Sequence, residues 1–144
     1  MNDIRQDFPI RASRGEVFRA MTTPAGLDAW WTRSSQGEAK AGAEYALDFG
    51  PSYQWRARVT RCEADRALEW EMTHATDDWL GTRVGFELGD AEDGATVVRF
   101  HHTGWPDPGE HYRVSCHCWA LYLRILRRHV EQGEFVRYED RLNA

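Results

Sequence analysis

The sequence predicts an α+β fold: a curved antiparallel sheet of about six strands wrapped around one long C-terminal helix, with two short helices after the first strand. Three observations carry this. From residue 43 to residue 102 apolar residues recur with a period of two. From Tyr112 to Val130 they recur with a helical period. Between the first strand and the rest stand two helix-start signals, at Ser13 and at Thr23-Pro24. Strands in a run, with helices kept apart from them, indicate segregated layers rather than alternating βα units.

Taken in order, Ile4 to Ile10 reads as a strand with Ile4, Phe8 and Ile10 on one face; Pro9 places it at a sheet edge, because proline cannot donate to a central ladder. Ser13 and Glu16 have capping-box spacing and open a helix with Val17, Phe18 and Met21 apolar. Thr23-Pro24 opens a second, ending in Leu27, Trp30 and Trp31. Helices this short are marginal alone and must dock. Tyr45, Leu47 and Phe49 form one face of the next strand, and Gly50-Pro51-Ser52 turns it back. The following inward sets are Tyr53, Trp55, Ala57 and Val59; Leu68, Trp70, Met72 and His74; Val84, Phe86 and Leu88; and Thr96, Val98, Phe100 and His102. Asp77-Asp78 and Asp93-Gly94 supply turns. One buried and one wet face per strand means antiparallel hairpins. Arg56 and Arg58 on one outer face, with Glu69 and Glu71 on the next strand, read as a solvated, charge-paired surface rather than an active carboxylate pair.

The last element is expected from Pro108 to Gln132, roughly 37 Å long at 1.5 Å per residue. Asp107, Pro108 and Glu110 have N-terminal capping spacing, and Gly133 can supply a left-handed stop. Its main stripe is Tyr112, Cys116, Trp119, Leu123, Leu126 and Val130, widened by a flank of Val114, Cys118, Leu121, Tyr122 and Ile125. A helix apolar over more than half its circumference needs a second cover beyond the sheet. The candidates are a short helix, the C-terminal extension, or a second copy making a homodimer through this flank.

Composition narrows the function classes. The chain has 144 residues, enough for one domain with a real core. Its span is read as a single domain over 1–144, with the core at about 5–133 and an extension at 134–144. A net charge of −5 argues against nucleic acid as the main partner. The absence of a long apolar run argues against a membrane span or leader. Three Cys without framework spacing fit a reducing, cytoplasmic compartment. Seven Trp are the unusual feature.

This element order resembles the helix-grip fold of the START-like (SRPBCC) superfamily, and within it the bacterial domains similar to the activator of heat-shock-protein-90 ATPase homologue. The matching residues are Glu16-Val17-Phe18-Arg19-Ala20-Met21, Thr23-Pro24 through Leu27 to Trp30-Trp31, Arg66-Ala67-Leu68-Glu69-Trp70, Gly94-Ala95-Thr96-Val97-Val98, and Trp119 to Leu123 with Glu131-Gln132-Gly133. They span about residues 5 to 133. Two departures are Cys118 where relatives often have Gly before the helix Trp, and Ala41-Gly42-Ala43 where they often have paired Gly. The resemblance implies a cavity between sheet and helix. It does not imply one reaction, since relatives include cochaperone domains, lipid or hormone binders and aromatic-ring cyclases.

The residues expected to line that cavity and bind ligand are Trp31, Trp55, Trp70, Met72, His74, Phe86, Phe100, His102, Trp119 and Tyr122. The leading expectation is a non-enzymatic domain binding a small apolar or aromatic ligand, or acting on a chaperone. The alternative is a cyclase, dehydratase or hydrolase with His74 and His102 as general acid and base; it requires both imidazoles to face one pocket. Each could equally be a hydrogen-bonded structural histidine at a strand end, and a one-residue slip would replace His102 with His101. Cys116-His117-Cys118 has the residue types of a metal site, but residues two apart on a helix diverge by about 200°. His111 reads as a first-turn polar residue without a partner. No phosphate loop or nucleophile elbow is present. No catalytic residue, metal or cofactor is therefore assigned.

Overall fold

A computed structural model describes residues 2–144. It has seven strands and three α-helices in the order β1 Asn2–Ile10, α1 Arg14–Thr22, α2 Pro24–Trp30, β2 Ser34–Gln36, β3 Glu44–Asp48, β4 Gln54–Glu63, β5 Ala67–His74, β6 Arg83–Asp90, β7 Thr96–Trp105 and α3 Glu110–Gln132. A 3-10 segment, Tyr138–Asn143, follows α3. All seven strands lie in one antiparallel sheet, ordered β1-β7-β6-β5-β4-β3-β2. β1 is an edge strand, where Pro9 is tolerated. The other edge is β2, a strand beyond the six expected; its three residues, Ser34-Ser35-Gln36, carry no apolar alternation.

The short helices start as the sequence indicates. Ser13 Oγ accepts the Glu16 N–H, and Thr23 Oγ1 accepts the Gly26 N–H. They dock tightly: Gly26 lies against the Ala20 backbone, and the Trp30 indole N–H donates to the Ala20 carbonyl at 2.9 Å.

The long helix begins two residues later than expected. Asp107 does not cap it; its Oδ1 accepts the Gly109 N–H at 2.7 Å, and Gly109 becomes the N-cap residue. An aspartate that bonds its own backbone two residues on makes a local turn, which competes with capping. The stop is at Gly133, left-handed at φ 69°, as expected.

The inward alternation holds on most strands but breaks at two bulges between β4 and β5. Val59 and Arg61 oppose Trp70 and Glu69, leaving Thr60 as an extra residue; Arg56 and Ala57 oppose His74 and Met72, leaving Thr73 extra. Each bulge reverses the side-chain phase. The second one turns His74 to the outer face beside Arg56, where it is exposed. The outer face is a charge lattice in which Arg58 meets Glu71, Arg56 meets Glu44, and Arg83 meets Glu69 and Glu71.

The C-terminal extension covers part of the α3 flank. Arg141 is 1% exposed, and its guanidinium donates to the carbonyls of Asp28 (2.6 Å) and Thr32 (3.0 Å), with Nε donating to Val136 (3.1 Å). Asp28 lies in the last turn of α2, so this cation meets carbonyls that the helix cannot pair itself and the negative end of its dipole. Tyr138 donates to the Phe49 carbonyl at 3.1 Å, tying the extension to the end of β3.

Candidate functional site

The middle of the sheet–helix interface is filled with rings. Trp70, Phe86, Phe100 and Trp119 are all 3% exposed or less, and Met72 is 1% exposed. Phe100 and Trp119 sit 4.5 Å apart by ring centroid, and Trp31 packs on both Trp70 and Trp119. These residues have the inward direction expected of them, but they form solid core.

Among several hollows of similar volume, one of about 450 Å³ lies at one end of the grip. From the α2 and sheet side it is lined by Trp31, Phe49, Tyr53 and Trp55. The β5–β6 loop adds Thr76 and Trp79. The long helix adds His111, Val114, Ser115, Cys118 and Tyr122, and the extension adds Tyr138. Of the ten residues expected to line a cavity, Trp31, Trp55 and Tyr122 border this one, and His74 borders a separate surface hollow with Trp55 and Thr76. A hollow on the outer side of β2 and β3 is more polar, with Ser34, Gln36, Asp48 and Arg56 among its walls.

Trp79 is the wall residue that the strand pattern does not reveal, because it sits in the loop between β5 and β6. Its ring lies 4.9 Å from Trp55 and stacks near-parallel to both His111 (6.1 Å) and Trp119 (6.0 Å). It is 7% exposed. Its only sequence signal is a large aromatic beside a turn, which alternation does not score.

His102 is sealed behind this wall. It is fully buried, and both ring nitrogens are used. Trp119 Nε1–H donates to Nδ1 at 3.0 Å. An indole nitrogen can only donate, so Nδ1 carries the lone pair and Nε2 carries the proton. Nε2 donates to Thr82 Oγ1 at 2.9 Å, and Thr82 Oγ1 donates to the Trp79 carbonyl at 2.6 Å. One chain of donors thus ties α3 to β7 and to the Trp79 loop. Burial, reinforced by His101 and His111, pushes the His102 pKa down to about 3. The acid–base pair expected from His74 and His102 does not exist: a bulge places one outside the sheet, and hydrogen bonding makes the other a neutral structural group.

One member of a different, part-exposed pairing reaches the cavity. His111 is not partnerless; its Nδ1 lies 2.7 Å from Asp78 Oδ2. Thr76 Oγ1 donates to the other oxygen of Asp78 at 3.3 Å. The contact joins residues 33 positions apart, from a turn and a helix start, so no local pattern encodes it. Ser115, one helical turn after His111, is buried and faces the same space. Cys118 also lines it, whereas Cys116 does not; this is the divergence that helical geometry requires. Burial pushes the Cys118 thiol up, and pushes Tyr122 up to about 12, so both cavity groups are neutral near pH 7. No described helix is long and apolar enough to cross a membrane.

Comparison with solved structures supports the architecture. The Aha1 dimer from Colwellia psychrerythraea is 27% identical, with a TM-score of 0.84 over 93% of this chain and 99% of that one. Protein SSP2350 from Staphylococcus saprophyticus is 19% identical at a TM-score of 0.78, covering 94% and 96% of the two chains. CalU16 from Micromonospora echinospora is 20% identical at a TM-score of 0.70, covering 98% of this chain and 80% of its own. The last two likenesses are of fold alone. Among curated proteins none matches. The family described as Activator of Hsp90 ATPase homolog 1-like protein matches residues 11–131, from just after β1 to the last turn of α3, and the chain belongs to that family, with its START-like helix-grip fold.

Proposed function

We propose that this protein binds a small apolar or aromatic molecule in the cavity between Trp31, Trp55, Trp79 and the first half of α3. The observation that carries this reading is the lining: unlike the other hollows of similar volume, this one is walled mainly by rings, as small-molecule sites are. Tyr53 and Val114, about half exposed, form an apolar rim at its mouth. A surface of this kind gains by being covered. The test is a library of apolar and aromatic compounds screened by tryptophan fluorescence and thermal shift. Binding should quench or shift the emission and raise the melting temperature. If neither changes for any compound, the reading fails.

A second reading, action on a chaperone, is favoured by the family match and by the Colwellia relative named Aha1. It requires contact with a heat-shock-protein-90 homologue. Purified protein that neither binds such a homologue nor alters its ATPase rate would remove it.

A further inference from the structure

We propose that His111, oriented by Asp78 from behind, is a hydroxyl-recognition group in the cavity wall, so that the preferred ligand is an aromatic molecule bearing a phenol-type hydroxyl. The proposal rests on the cavity-binding reading above and names the chemistry of its ligand. A carboxylate can only accept, so the 2.7 Å contact with Asp78 Oδ2 assigns the proton to His111 Nδ1. In the neutral ring Nε2 is then left with a lone pair and no proton. Asp78 is itself held, because Thr76 bonds its other oxygen. The imidazole is also clamped by rings: it stacks on Trp79 at 25° and meets the Trp105 edge at 88°. A polar acceptor fixed by a partner in an otherwise aromatic wall is the element such sites use to select among ligands of equal apolar area.

The chemistry of the selection follows from what each ligand would leave unpaired. A purely apolar occupant would strip water from Nε2 and offer nothing in return, which costs affinity. A hydroxyl would donate to Nε2 and keep its ring against Trp79 and Trp55. A carboxylate would bring negative charge close to Asp78 and lack the donor. His102 cannot serve in this role, since Trp119 and Thr82 already occupy both of its nitrogens.

The experiment compares naphthalene, naphthol and naphthoate by fluorescence titration at one neutral pH, with wild-type protein and His111→Phe. The Phe variant keeps a ring on Trp79 and removes the acceptor. Naphthol should bind the wild type several-fold more tightly than naphthalene, the worth of about one hydrogen bond at a part-exposed site, since the His111 side chain is 41% exposed. Naphthoate should show no such advantage. In His111→Phe the naphthol advantage should vanish while naphthalene binding persists. Should that variant fail to fold, nitrogen NMR of the wild-type imidazole gives the same answer. Nε2 should show the unprotonated shift in the neutral ring and should move with naphthol but not with naphthalene. Equal binding of naphthol and naphthalene, or a neutral ring protonated at Nε2, would overturn the subsite and leave the cavity reading standing. Failure of all three probes to bind would count against both.

Discussion

Acidification gives the sharpest check on the buried histidine. In the unfolded chain the His102 imidazole takes a proton near its ordinary pKa of 6.5, whereas in the folded chain the pKa is about 3. Between these values the unfolded state binds a proton that the native state refuses. Stability contributed by the neutral ring is therefore fully present above pH 6.5 and is lost as pH falls, by about 1.4 kcal/mol per pH unit. From the plateau above pH 6.5 down to pH 4.5 that amounts to about 2.7 kcal/mol. Glu69 and Glu131 also lose stability on acidification. Both are held low despite their burial, Glu69 by bonds from Thr60 and His101 and Glu131 by bonds from Arg11 and Arg127. Their losses fall mainly below pH 4.5, where unfolded carboxylates titrate. The assay is urea unfolding across this pH range for wild type and His102→Leu. At neutral pH the variant should be less stable by about 3 kcal/mol, because the Trp119 indole N–H is left buried without its acceptor. It should lack the histidine slope, so the gap narrows to near zero toward pH 4.5. A parallel pair of pH profiles, or an imidazole that NMR shows titrating near its ordinary value, would refute the donor chain.

Three further outcomes follow from contacts elsewhere. Arg141→Met should destabilise by about 3 kcal/mol in urea unfolding, since its charge-assisted bonds to the Asp28, Thr32 and Val136 carbonyls are lost; a change below about 0.5 kcal/mol, the range of ordinary surface substitutions, would show that these bonds do not hold the extension in place. Removing residues 134–144 should lower the melting temperature and uncover the α3 flank, and light scattering should then show self-association; an unchanged monomer with the original melting temperature would contradict this. Gly26→Ala places a Cβ 2.5 Å from the Ala20 carbonyl oxygen, so it should cost about 2 kcal/mol by calorimetry in spite of the better helix propensity of alanine.

How far the sequence can be read depends on the range of the interaction. His74 illustrates the limit on a strand. Leu68, Trp70 and Met72 obey the alternation, yet a bulged Thr73 reverses the next residue, and nothing about Thr73 in isolation marks it as unpaired. Trp70, Phe86, Phe100 and Trp119 were legible as inward rings but not as solid core, because filling depends on how rings from different elements interlock. Cys118 is the opposite case. Its divergence from Cys116 is a property of one helix, and the structure places only Cys118 at the cavity.

By itself the sequence determined the α+β class, the antiparallel hairpins, both short helices with their Ser13 and Thr23 caps, and the Gly133 stop. Each of these rests on periodicities and hydrogen bonds among residues a few positions apart. Only the tertiary structure decided where the cavity opens, that His102 is a neutral tie rather than an acid or base, that His111 finds Asp78, and that Arg141 locks the end of α2. Those contacts join residues separated by 17 to 113 positions. They arise when the sheet curls around α3, and they hold because polar groups buried there have no water to turn to.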